Sequence, residues 1–128
     1  MSACYEISVL TDFAASHIIH GHPGKCARLH GHNWKVETTV VLQDGGLNEI
    51  GIGVDFKDLK LIVREVIDLL EHRHLNDIPP FDKINPTAEN ISKWIYNKLE
   101  EIFSKQGVEL SAIALWENDR SCVRYKKN

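Results

Sequence analysis

Cys26-Ala27-Arg28-Leu29-His30-Gly31-His32-Asn33-Trp34-Lys35-Val36-Glu37-Thr38-Thr39-Val40-Val41-Leu42 joins a cysteine and two histidines to a run that alternates with a period of two. From His30, one side carries His32, Trp34, Val36, Thr38, Val40 and Leu42, and the other carries Asn33, Lys35, Glu37, Thr39, Val41 and Gln43. That alternation is the mark of a β-strand with one covered face. It places both imidazoles on the same side, roughly 6–7 Å apart along the backbone, a separation that two side chains can close onto one metal ion.

Upstream, Tyr5 to Ile19 is rich in aromatic, β-branched and small residues, and Ile7 and Val9 begin a second alternation. It reads as an opening strand, with a break or bulge around Asp12 and Ala14-Ala15 and with His17 near its far end. Gly21-His22-Pro23-Gly24-Lys25 is a loop by its proline and glycines. Antiparallel pairing across that loop makes His17 and His30 cross-strand neighbours. A catalytic zinc needs three protein ligands and an open position, which His17, His30 and His32 can supply. His20 and His22 are close enough to replace one of them, and His-x-His by itself also suits ordinary hydrogen-bonded strand residues.

Downstream, Asp44-Gly45-Gly46 is a hairpin signal, from which the chain is expected to return through Leu47, Ile50 and Ile52 to Val54. At Asp55 the period changes to that of a helix. Phe56, Leu59, Ile62, Val63, Val66, Ile67 and Leu70 form one stripe, Asp55 is placed to cap, and the helix is expected to end near Glu71-His72. A second helix opens after Asn85-Pro86 with Thr87 as N-cap. It buries Ile91, Trp94, Ile95, Leu99, Ile102 and Phe103, and stops at Gln106-Gly107. Val108 to Trp116 and Ser121 to Tyr125 then form two strands around a turn at Glu117-Asn118-Asp119-Arg120. The predicted class is α+β, in β-β-α-α-β-β order, with both helices on one face of an antiparallel sheet. Two helices cover one face only, so Trp34, Val41, Leu115 or their neighbours need another cover. Oligomerisation supplies it, or the sheet curls over itself.

The 128 residues suffice for a single domain, 1–128, with a real core. A formal charge of −3 argues against a partner role built on nucleic acid or anionic membrane. Cys4, Cys26 and Cys122 make neither an even disulfide framework nor a thiolate zinc knot, which suits a reducing compartment. The start lacks a signal-peptide pattern, and no apolar run approaches the roughly 20 residues of a membrane helix. The expected location is cytoplasmic.

Four other groups carry possible chemistry. Cys26 is a proton acceptor if its thiolate is favoured and a small buried hydrophobe otherwise. Glu71-His72 sets a carboxylate beside an imidazole, but neighbours on a helix do not face each other, so a working pair requires the helix to unwind there. Glu117, at the end of the apolar run Ala112 to Trp116, can accept two donors from the edge of a planar heterocycle, or can simply be solvated in a turn. Lys25 and Arg28 are candidates for an anionic part of a substrate.

Taken together, Phe13-x-Ala15-x-His17, Cys26-x-x-x-His30-Gly31-His32, Val54-Asp55-Phe56 with Leu59-Lys60, Glu71-His72-x-x-Leu75-Asn76-Asp77, Pro86-Thr87-x-Glu89-Asn90 and Glu117 span nearly the whole chain. In that order they resemble the 6-pyruvoyltetrahydropterin synthase and 6-carboxytetrahydropterin synthase family. The short Cys-to-His spacing is most similar to the carboxytetrahydropterin branch. The resemblance implies a tunnelling fold, whose subunits assemble into rings with the sheets forming a barrel, as a trimer or a dimer of trimers. It also implies zinc on His17, His30 and His32, acid–base roles for Cys26 and His72, and a pterin anchor at Glu117. The implied reaction is that of a carbon–carbon lyase of queuosine and 7-deazaguanine biosynthesis. It converts 7,8-dihydroneopterin triphosphate and water to 6-carboxy-5,6,7,8-tetrahydropterin, acetaldehyde and triphosphate. Its alternatives are the 6-pyruvoyltetrahydropterin synthase reaction and a non-catalytic protein that binds pterin or metal. Where the family commonly has aspartate before the catalytic histidine, this chain has Glu71, one methylene longer.

Overall fold

A computed structural model describes residues 3–24 and 27–127. In chain order the elements are β1 (Cys4–His17), β2 (His30–Gln43), α1 (Phe56–Ile67), the two-residue β3 (Arg73–His74), α2 (Ala88–Lys105), β4 (Glu109–Asn118) and β5 (Ser121–Lys126). They form a five-stranded sheet in the order β3-β1-β2-β4-β5. All pairings are antiparallel except β1 with β3.

Strand β1 pairs with β2 without a break, from Cys4 opposite Gln43 to His17 opposite His30, so the expected bulge near Asp12 is absent. Irregularities fall instead in the β2–β4 pairing at Thr39/Val40 and in the β4–β5 pairing between Trp116 and Asn118.

Both helices lie on one face, α1 over β1 and α2 over β4 and β5. Asp55 caps α1 by accepting the Lys57 N–H, and Thr87 caps α2 by accepting the Asn90 N–H. Val9, Phe13, Trp34, Val36, Ile113 and Leu115 face Leu59, Val63, Ile95 and Leu99 in one continuous core. Trp34 and Leu115 are thus fully buried beneath the helices rather than awaiting a cover. The opposite face carries Ser8, Asp12, Glu37 and the exposed Leu10.

Two further expectations are corrected. Residues 47–54 form no returning strand, because both edges of β2 are already paired, one with β1 and the other with β4. Asp44–Gly46 is a single 3-10 turn, and the Asn48 carboxamide oxygen accepts the N–H groups of Ile50 and Ile52 to hold the following loop. Helix α1 ends at Ile67, earlier than its apolar stripe suggested. The next residues turn tightly, and His72 takes a left-handed backbone (φ 56°) that sends its N–H to the Ala14 carbonyl at 2.7 Å.

Candidate metal centre and active site

The pairing of β1 with β2 sets His17 opposite His30 and Ala15 opposite His32, so three imidazoles crowd the end of one sheet face. Their ring centroids are 4.4 Å apart for His17–His30, 4.7 Å for His30–His32 and 5.2 Å for His17–His32. Trp34 closes the inner side, edge-on to His17 and His32 at 5.0 and 5.2 Å, and donates its indole N–H to the Ala15 carbonyl.

Backbone carbonyls orient two of the rings. His17 donates its Nδ1–H to the Pro86 carbonyl at 2.8 Å, and His30 donates its own to the Arg28 carbonyl at 2.6 Å. A carbonyl only accepts, so each of these rings is left with an Nε2 lone pair, the tautomer that a metal ligand requires. His17 Nε2 and His32 Nε2 are buried without a hydrogen-bond partner among the described residues. Buried polar atoms are seldom left so. The Glu117 carboxylate completes the group: one ligand atom from each of His17, His30, His32 and Glu117 lies within 4.8 Å of the others. Glu117 Oε1 is 3.0 Å from His32 Nε2, but the approach lacks hydrogen-bond geometry, so it does not satisfy that nitrogen. Three nitrogen donors and a carboxylate with unsatisfied atoms turned inward fit a metal ion.

Electrostatics favour neutral rings. Burial holds His17 below its ordinary protonation range, with neighbouring His30 adding to the effect and the Pro86 hydrogen bond opposing it. His32 is lowered first by burial and then by His30, against the attraction of Glu117. Neutral imidazoles are the metal-binding form.

Two asparagines fix the chain just beyond His17. Asn76 receives the Ile18 N–H and donates to the Ile18 carbonyl, at 2.9 and 3.0 Å, and Asn85 does the same for His20 at 2.9 and 2.8 Å. Sequence reasoning did not single out either as a clamp, nor the Pro86 carbonyl as an orienting group, because these are contacts of side chains with distant backbone. His20 and His22 lie on the exposed loop, outside the metal group.

Glu71 and His72 do meet, because the chain has left the helix before reaching them. Glu71 Oε1 lies 3.0 Å from His72 Nε2 and accepts the Ala14 N–H at 3.3 Å, and Arg64 approaches its other oxygen at 3.4 Å. The longer glutamate side chain therefore reaches both the imidazole and β1. His72 and His32 border the same cleft of about 470 Å³. Arg28 is exposed next to β2. Lys25 and Cys26 lie outside the described residues.

Comparison with known proteins gives the family and the fold. The family model for 6-pyruvoyl tetrahydropterin synthase matches residues 6–128. A protein of Archaeoglobus fulgidus named putative 6-carboxy-5,6,7,8-tetrahydropterin synthase is 38% identical over 113 residues, 88% of each chain. The 6-carboxy-5,6,7,8-tetrahydropterin synthase of Haemophilus influenzae is 31% identical over an alignment covering 96% of this chain and 99% of that one. In fold, the chain superposes on 6-pyruvoyl tetrahydropterin synthase of Caenorhabditis elegans with a TM-score of 0.83 at 23% identity, over 99% and 98% of the two chains. It has the tunnelling fold of these structures, α+β with two helices on one sheet that is not closed within the single chain. By family model and by relatives, the chain belongs to the 6-pyruvoyl tetrahydropterin synthase family.

Proposed function

We propose that this protein is a zinc-dependent 6-carboxy-5,6,7,8-tetrahydropterin synthase. It takes 7,8-dihydroneopterin triphosphate and water to 6-carboxy-5,6,7,8-tetrahydropterin, acetaldehyde and triphosphate, in the cytoplasmic route to queuosine. The observation that carries this reading is the metal group of His17, His30, His32 and Glu117, whose His32 borders the same cleft as His72 of the Glu71–His72 pair. The relatives named for that product lend it support.

In this reading the one domain, 1–128, holds zinc on His17, His30 and His32. When bound, the ion supplies a Lewis acid that polarises side-chain oxygens of the substrate. His72, whose side chain is 80% exposed on the cleft, moves a proton to or from the substrate side chain, and Glu71, 3.0 Å from its Nε2, orients the ring. Cys26 serves as the second acid–base group, carrying a proton between substrate carbon and solvent. Glu117 accepts the paired N–H donors of the pterin edge, while Lys25 and Arg28 meet the triphosphate. Subunits assemble as a trimer or dimer of trimers, with the sheets edge to edge in a barrel; β1 beyond its short pairing with β3, and β5, offer open edges.

Incubation of zinc-loaded protein with 7,8-dihydroneopterin triphosphate tests the reaction, and equal release of acetaldehyde and triphosphate is the expected result. Triphosphate without acetaldehyde assigns the 6-pyruvoyltetrahydropterin synthase reaction instead. Binding of zinc and pterin without turnover assigns a non-catalytic role.

A further inference from the structure

Glu117 stands between two environments. On one side its carboxylate belongs to the metal group, 3.0 Å from His32 Nε2 and within 4.8 Å of ligand atoms from all three histidines. On the other it lines a cavity of about 250 Å³ with Ala88, Asn118, Ser121, Cys122 and Val123. The side chain is 29% exposed, and its close polar contact among the described residues is with His32. The β4–β5 irregularity between Trp116 and Asn118 sets Glu117 at this boundary, on the sheet face that also carries Leu115 and the histidines.

Three imidazole ligands bring no negative charge to a divalent cation, and a carboxylate within ligand reach in a half-buried site is drawn onto it. With four protein ligands a zinc site is closed, whereas catalysis requires an open position. A planar heterocycle with adjacent N–H donors makes the competing offer, because two parallel charge-assisted hydrogen bonds suit a carboxylate well.

We propose that Glu117 is a two-position ligand: in the substrate-free protein it closes the fourth coordination position of the metal, and it yields that position when a heterocycle enters the neighbouring cavity and takes its oxygens. The metal is then opened by the substrate itself, and water is kept from it otherwise. This deepens the proposed function and rests on its reading of a metal-dependent pterin enzyme.

The test is spectroscopic and independent of turnover. Full-length protein is loaded with cobalt(II), whose visible bands report its ligands, and is compared with Glu117→Ala and Glu117→Gln. The probe is pterin itself, which carries the ring edge and no side chain. Both variants should show altered bands and cobalt affinity weakened by at least roughly 10-fold, since loss of even a residue that only supports a ligand costs about 10–100-fold. Pterin should move the wild-type bands toward those of Glu117→Ala. Wild-type bands and affinity in both variants, pterin bound with the bands unmoved, or no pterin binding at all would each overturn the proposal. Triphosphate release without acetaldehyde by the zinc-loaded wild type would refute the proposed reaction and leave this comparison intact.

Discussion

Asn76→Ala is expected to destabilise the metal-free protein by about 1–3 kcal/mol and to loosen the metal site as well. Asn76 makes two hydrogen bonds to Ile18, at 2.9 and 3.0 Å, in a part-buried setting. Each such bond contributes about 0.5–1.5 kcal/mol net, and their sum gives the stated range. Ile18 follows His17, the most buried member of the metal group, so releasing the chain there also frees His17. The comparison that isolates the cause is Asn85→Ala. Its two bonds to His20 are as short, 2.9 and 2.8 Å, but exposed, so water replaces them and the loss should stay below about 1 kcal/mol. Urea midpoints of chelator-treated protein at one fixed concentration measure both, and cobalt affinity measures the effect on His17. Equal losses in the two variants, or an Asn76→Ala loss below about 0.5 kcal/mol, would refute the view that burial of these bonds holds the site.

His72 has a left-handed backbone (φ 56°) with its side chain 80% exposed, so His72→Gly should leave stability unchanged or raise it by up to about 1 kcal/mol while abolishing turnover; destabilisation would show an unrecognised packing role. Because His17 and His32 are held below their ordinary value of 6.5, the unfolded chain binds more protons than the folded one as acidity rises. Stability of the metal-free protein should be full above 6.5 and fall as the pH drops from there through the folded values, and a urea midpoint that rises on acidification would contradict this. Cys26→Ala should keep the metal and the fold and lose most turnover, as read by elemental analysis and acetaldehyde release; unchanged turnover removes Cys26 from the mechanism. Leu99→Ala, at a fully buried position on α2, should cost about 2–5 kcal/mol in chemical denaturation, and a smaller loss would mean that the core collapses around the cavity.

Local patterns carried much of this protein. The bounds of α2 follow from the Thr87 cap and the stop at Gln106-Gly107, both readable because capping is settled within a few residues. The alternation of β1 and β2 put His17 across from His30, and a strand's period of two leaves no choice about which side chains share a face. Where a segment's fate depends on what its neighbours already occupy, local signals failed. Asp44-Gly45-Gly46 announces a hairpin, but β4, some 70 residues later in the chain, takes the edge of β2 that a returning strand would need. The apolar stripe of α1 runs past its true end because Leu70 is buried by the turn that follows the helix.

At the site, the residue types that can bind metal and move protons were legible in the sequence, together with the shared face of His17, His30 and His32. Tertiary structure alone decided that Glu117 joins them, because its place depends on the pairing of β4 with strands distant in sequence. It also decided which ring nitrogens are free, since the Pro86 and Arg28 carbonyls that select the tautomers are backbone atoms with no signature in residue type. And it brought Glu71 to His72 by unwinding α1 before them, a backbone path fixed by the hydrogen bond of His72 to Ala14 on β1.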